Sequence, residues 1–167
     1  DENNRELLSR YGDICVDAMS ERQRDRGWRV VSRGAGTPIR LGIVAANVCD
    51  HPVWNALTRG WLEALSRERV EVFVFHTGSR IDAETAWAKT NSGYVAGLKS
   101  NDAWAEAIVG HELDALLFTE VGMDPTAFRL ACLRLAPLQL ATWGHPETTG
   151  LPTIDVFVSA DALEPEN

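Results

Sequence analysis

Three short segments of the 167-residue chain combine reactive side chains with glycine or proline. The first runs from Asn47 to Trp54 and contains Asp50-His51-Pro52. Proline suits the first position of a helix, so we expect His51 at a helix start, beside backbone N–H groups that lack intrahelical partners. A histidine there can donate to a substrate or act as a base. The alternative is that Asp50 or His51 only caps the helix.

The second segment, Thr119 to Pro125, places an acid after an apolar run. Glu120 is expected at the carboxyl end of a strand, where its carboxylate could hold sugar hydroxyls, or it could be a solvated loop acid. Asp124 precedes Pro125, which is the ordinary pattern of a helix cap.

The third segment, Thr142 to Pro152, is the least ordinary stretch of the chain. It contains Trp143-Gly144-His145-Pro146, followed by Glu147, Thr148, Thr149 and Gly150. Glycine permits close approach of the backbone to a ligand, and proline restricts the backbone conformation. The pattern therefore predicts a rigid loop suited to binding through the main chain.

Composition and motifs exclude several classes of site. The formal net charge of −8 argues against nucleic acid as a partner, because such binding depends on clustered Lys and Arg. The four histidines lack HExxH spacing and the three cysteines lack CxxC spacing, so we expect no metal and reduced thiols. No G-x-G-x-x-G follows the first apolar run, which argues against an NAD enzyme.

Nothing in the sequence predicts a membrane association. No apolar run approaches the roughly 20 residues of a membrane span, and the acidic start of the chain does not resemble a secretory signal. We therefore expect a cytoplasmic, soluble protein, and the absence of an initial Met indicates a fragment or a processed chain.

Apolar runs alternate with helical periodicity along the chain, which predicts an α/β fold with a Rossmann-like, doubly wound parallel sheet. The predicted strands are 39–46, 70–76, 114–119, 138–143 and 154–159, with a weak strand at 94–96. The predicted helices are about 3–24, 54–65, 82–90, 102–110 and 125–135. The predicted divisions are a helical extension at 1–31, a linker at 32–38 and the Rossmann-like half-domain at 39–167. Because ligands bind beyond the carboxyl ends of parallel strands, the three segments should meet at one edge of the sheet.

The third segment also carries a resemblance to a known family. Leu135-Ala136-Pro137-Leu138-Gln139 and the run from Trp143 to Asp155 resemble the signature R-(P/L)-A-P-x-Q…G-(Y/H)-P-x-T-(T/S)-G of O-linked N-acetylglucosamine transferases, including SPINDLY-like proteins. The first strand and Asp50-His51-Pro52 are similar to that family's first strand and histidine loop. The segment Glu120 to Pro125 resembles the bacterial branch. The resemblance covers residues 39–167.

The resemblance implies the N-terminal half of a GT-B glycosyltransferase. Such an enzyme transfers a hexose or N-acetylhexosamine from a UDP-sugar to a protein or peptide acceptor with inversion, without a metal or a further cofactor. The partner would be a C-terminal Rossmann-like domain that carries most of the UDP-binding residues, so the fragment alone is expected to be inactive. The donor sugar and the acceptor group, Ser/Thr or Asn, stay open.

Individual residues take roles by this resemblance. His51 matches the histidine beside the donor sugar and phosphate, where it positions the substrate. Gly144 and Pro146 match the loop that packs against the sugar, and Trp143 and His145 stand where eukaryote-like members have Leu and Tyr. The implied substrate-binding residues are Asp50, Pro52, Glu120, Met123, Trp143, Gly144, His145, Pro146, Thr148 and Thr149. The alternative is a non-catalytic, flavodoxin-like module that binds a nucleotide or a protein, since a fold does not fix a function.

Overall fold

Six parallel strands form one sheet. The computed structural model describes residues 3–34, 38–145 and 147–163. The strands are β1 (Ile39–Ala45), β2 (Val70–His76), β3 (Gly93–Ala96), β4 (Ala115–Phe118), β5 (Leu138–Thr142) and β6 (Val156–Val158). Their order is β3-β2-β1-β4-β5-β6 and all the neighbours pair in parallel. The predicted Rossmann-like fold class is confirmed, and the strand order differs from the flavodoxin order of the alternative.

Helices cover both faces of the sheet. They are α1 (Arg5–Arg26), α2 (Arg59–Ala64), α3 (Ala83–Asn91), α4 (Asn101–Gly110) and α5 (Pro125–Ala131). One core packs α1, α4 and α5 against the sheet, and the other packs the α2 and α3 side. Ile43 and Val44 of β1 belong to opposite cores and are both fully buried, which explains why this strand is a continuous apolar run.

The N-terminal helix is packed against the domain. Gly12 is its one buried residue, and it crosses the backbone of Gly150 so closely that a Cβ would overlap the Gly150 carbonyl oxygen. Gln23 exchanges two hydrogen bonds with the backbone of Arg134, at 2.7 and 3.0 Å. The helix ends at Gly27 with a φ of 70°, as glycine at a helix end permits. The division at 32–38 stays a prediction, and residues 35–37 lie outside the described residues.

Two helices differ from the sequence prediction. The helix predicted over 125–135 ends at Ala131, because the Gln139 side chain binds the backbone of Leu133 and Leu135 and holds that segment out of a helix. The helix after Pro52 contains a π-helical turn over Trp54–Thr58 before it continues as α2. Such turns are rare in proteins overall, and those that occur are often found at functional sites.

Candidate functional site

The candidate site lies at the carboxyl edge of the sheet, where the strand order reverses. β1 pairs with both β2 and β4, so the loops that follow β1 and β4 leave toward opposite faces and open a crevice between them. Ligands of open α/β sheets bind in this crevice. The loop that contains His51 follows β1, the loop that contains Glu120 follows β4, and the Trp143–Gly150 loop follows β5 next to them.

Glu120 ties the first two of these loops together. Its carboxylate accepts hydrogen bonds from the backbone N–H of Ala46 at 2.5 Å and of Asn47 at 3.2 Å, and from the Asn47 side-chain amide at 2.5 Å. Glu120 is 1% exposed, so the alternative of a solvated loop acid is wrong. A direct role in holding sugar hydroxyls stays a prediction.

His51 directly precedes the helix that begins at Pro52 and continues as α2, as the position of Pro52 in the sequence indicated. Residues 52 and 53 are helical, and the Val53 N–H donates to the Nδ1 atom of His51 at 3.3 Å. The imidazole therefore caps the helix through Nδ1. In the neutral ring this leaves Nε2 with the proton, so Nε2 can still donate to a ligand. The two readings of His51, as a cap and as a donor, are compatible.

Asp50 is held by the start of α3. Its backbone N–H donates to the Asp82 carboxylate at 2.8 Å, and its own carboxylate accepts from the Asn55 side chain at 2.8 Å. The bond from the Asp50 N–H is the main reason that the pKa of Asp82 is lowered. Asp82 also caps α3 in a capping box with Thr85, and the spacing of these two residues is a sequence signal for this helix start.

The third loop closes onto the other two through glycine. A Cβ at Gly144 would overlap the carbonyl oxygen of Thr119 and lie 3.2 Å from the Val53 side chain. A Cβ at Gly122 would lie 2.5 Å from the His145 ring. The sequence prediction of a close-approach loop is therefore confirmed. The neighbouring Pro146 lies outside the described residues.

The remaining predicted residues surround this contact. Trp143 packs edge-on against Trp61 of α2, with 6.2 Å between ring centroids. Met123 is 48% exposed in the turn that leads to α5. Thr148 and Thr149 line a cavity of about 360 Å³ together with His145 and residues of α1 and α5. The structure thus brings the described candidate residues to one edge, while their roles in binding stay predictions.

Three further observations concern metal ligands, membrane spans and a buried histidine. No group of three His, Cys, Asp or Glu side chains among the residues that the structure describes is arranged to hold a metal ion. Within the same residues, no helix has both the length and the apolar character of a membrane span. His76 ends β2 fully buried, and burial is the main reason that its pKa is lowered.

Comparison with known proteins gives a likeness of fold. No family model and no curated protein matches the chain. A solved structure of a mutant O-GlcNAc transferase from Thermobaculum terrenum is similar, with a TM-score of 0.66 and 20% sequence identity. The similarity covers 85% of this chain and 29% of that chain, so the present chain spans less than a third of the length of its neighbour. The chain therefore shares its fold with one part of an O-GlcNAc transferase.

Proposed function

We propose that this chain forms one wall of the active-site cleft of an inverting, metal-independent GT-B glycosyltransferase that transfers a sugar from a UDP-sugar to a protein side chain. The observation that carries the proposal is the packing of Gly144 against Thr119 and Val53, because it joins all three candidate loops at the point where the strand order reverses. The fold of an O-GlcNAc transferase over 85% of the chain supports it.

The chemistry of the site suits transfer without covalent participation of the protein. Inverting transfer needs an acceptor held in line with the anomeric carbon while negative charge develops on the leaving diphosphate, so positioning and fixed N–H dipoles contribute most. His51 offers Nε2–H beside a helix N-terminus. A helix N-terminus attracts a phosphate through its dipole, while the Val53 N–H of this helix is already bonded to His51. The Gly144 loop would hold the sugar against this point.

The proposal assigns the uridine pocket to a second Rossmann-like domain. At an exposed helix start the dipole contributes about 0.3–1 kcal/mol toward a diphosphate, and the net charge of −8 opposes the approach of an anion. We therefore expect the 167-residue chain to transfer no sugar and to bind UDP-glucose or UDP-N-acetylglucosamine no tighter than about 1 mM, or roughly −4 kcal/mol. Calorimetric titration measures this, and micromolar binding would show that the nucleotide site is misplaced.

Two substitutions at His51 separate a donor from a cap in the complete polypeptide that carries this chain. His51→Ala removes both ring nitrogens, whereas His51→Asn retains an acceptor in reach of the Val53 N–H and removes only the Nε2 donor. We expect both variants to lower the transfer rate by about 100-fold, the effect of losing one positioned donor. Mass spectrometry of a glycosylated acceptor measures the rate, and thermal unfolding checks the fold. Full activity of His51→Asn would reduce His51 to a cap.

A further inference from the structure

Two buried side chains hold the backbone of Ala46, one at its N–H and the other at its carbonyl oxygen. Ala46 is the first residue after β1 and begins the loop that leads to His51. Its N–H donates to the Glu120 carboxylate at 2.5 Å, and its carbonyl oxygen lies 3.1 Å from Nε2 of His76. His76 and Glu120 are 0% and 1% exposed. The start of the loop is thus fixed by one residue from β2 and one from the loop after β4.

The hydrogen bonds determine which ring nitrogen of His76 carries the proton. A carbonyl oxygen can only accept, so Nε2 of His76 donates to Ala46. Nδ1 lies 2.6 Å from the Tyr94 hydroxyl on β3, and the neutral ring accepts from that hydroxyl at Nδ1. Lys89 places its ammonium 5.2 Å from the centroid of the Tyr94 ring. Tyr94 therefore orients His76, and His76 orients the Ala46 carbonyl.

Contacts along the loop carry this orientation toward His51. A Cβ at Gly78 would overlap the Ala46 carbonyl oxygen, so the end of β2 closes tightly over the same group. Val48 is fully buried, and its carbonyl accepts from the Thr85 hydroxyl at 2.6 Å. Asp50 is held by Asp82 at 2.8 Å. The loop that leads to His51 is thus held at Ala46, Val48 and Asp50, and loss of the His76 contact removes the hold on the Ala46 carbonyl.

We propose that His76 is a positioning residue of the candidate site, acting through the carbonyl of Ala46 and oriented by Tyr94. The proposal rests on the proposed function for its catalytic consequence. His76 is fully buried, so it acts through the backbone and not on a ligand directly. The His76 side chain holds the Ala46 carbonyl, and Glu120 holds the N–H of the same residue.

The first test reads the position of His51 by NMR and needs no transfer activity. Ring ¹⁵N spectra of the chain should show the Nε2–H form of His76. His76→Leu and the milder Tyr94→Phe should both shift the backbone and ring signals of His51. Ile108→Val is the matched control, because it destabilises a fully buried core position away from this loop. Unmoved His51 signals in both variants, or equal shifts in the control, would overturn the proposal.

The second test separates positioning from general destabilisation in the complete polypeptide. We expect His76→Leu to lower kcat by about 10- to 100-fold, the order expected when a positioning group is misplaced, with little change in the KM for the sugar donor. His76→Gln retains a side-chain N–H for the Ala46 carbonyl and should restore most of the rate. Failure of His76→Gln to restore it, with signals of His51 unchanged, contradicts positioning. Wild-type protein without transfer activity contradicts the proposed function instead, and the NMR result still decides the role of His76.

Discussion

The crossing of α1 over the Gly144–Gly150 loop can be tested with one methyl group. Gly12→Ala places a Cβ where it would overlap the Gly150 carbonyl oxygen and lie 2.8 Å from the carbonyl carbon. Both atoms are backbone, so no side-chain rotation relieves the clash. Overpacking costs about 1–3 kcal/mol, and we expect the upper part of that range, about 2–3 kcal/mol. Alanine returns up to about 1 kcal/mol of helix preference, which leaves a net loss of about 1–2 kcal/mol.

Gly60→Ala is the matched control for this substitution. Gly60 also lies in a helix, but a Cβ there would meet no atom within 4 Å, so only the gain in helix preference applies. The free energies of unfolding of the two variants, from urea titrations followed by tryptophan fluorescence, should therefore differ by about 2–3 kcal/mol. A difference below about 0.5 kcal/mol would refute the close crossing of α1 and the loop. A lowered m-value in Gly12→Ala alone would show that α1 has left the domain.

Three further outcomes follow from buried or paired groups. The Arg134 guanidinium is the main reason that the pKa of Asp155 is lowered. The pair therefore stabilises the fold at pH values above the ordinary Asp pKa of about 3.9. This stabilisation is lost as the pH falls through the lowered pKa of Asp155. Thermal unfolding should show a loss of stability in Asp155→Asn at pH 7 that shrinks below about pH 4, and a pH-independent difference contradicts the ion pair. Burial raises the pKa of Cys132 to about 12, so iodoacetamide at pH 8 should label it far more slowly in folded than in urea-unfolded protein, as mass spectrometry can measure; equal rates contradict its burial. Glu120→Ala leaves backbone N–H groups without their acceptor and should lower the free energy of unfolding by about 1–3 kcal/mol, whereas Glu120→Gln retains an acceptor and should lower it less; equal losses contradict the hydrogen-bonding role.

The sequence predicted the sheet and the loops at its carboxyl edge because both follow from local patterns. Buried parallel strands need continuous apolar runs, and these placed β1, β2 and β4 to within a residue or two. The proline after His51 likewise predicted the helix start. Each of these signals lies within a few neighbouring residues.

The features that sequence reasoning missed depend on contacts between distant residues. Glu120 binds a backbone N–H 74 positions away, and nothing near Glu120 in the sequence distinguishes such an acid from a solvated one. The contact between Gly12 and Gly150 likewise joins the two ends of the described chain. The π-helical turn over Trp54–Thr58 was missed for another reason, since five residues are too few to separate its period from that of an α-helix.

The acids at the carboxyl edge accept hydrogen bonds that connect neighbouring loops. Part of the net charge of −8 is therefore neutralised locally by N–H and O–H dipoles of the protein. Asp82 caps α3 and binds the Asp50 N–H, Glu120 binds the loop after β1, and Asp124 caps α5 while accepting from the Thr77 hydroxyl at 3.0 Å. A carboxylate that accepts several N–H bonds is stabilised in its charged form by those dipoles. The helix start at His51 and the Gly144 backbone are the groups that the proposed function assigns to the ligand. Under the proposed function, such a site would hold its substrate mainly by geometry, and a second domain would supply further cationic groups for the diphosphate.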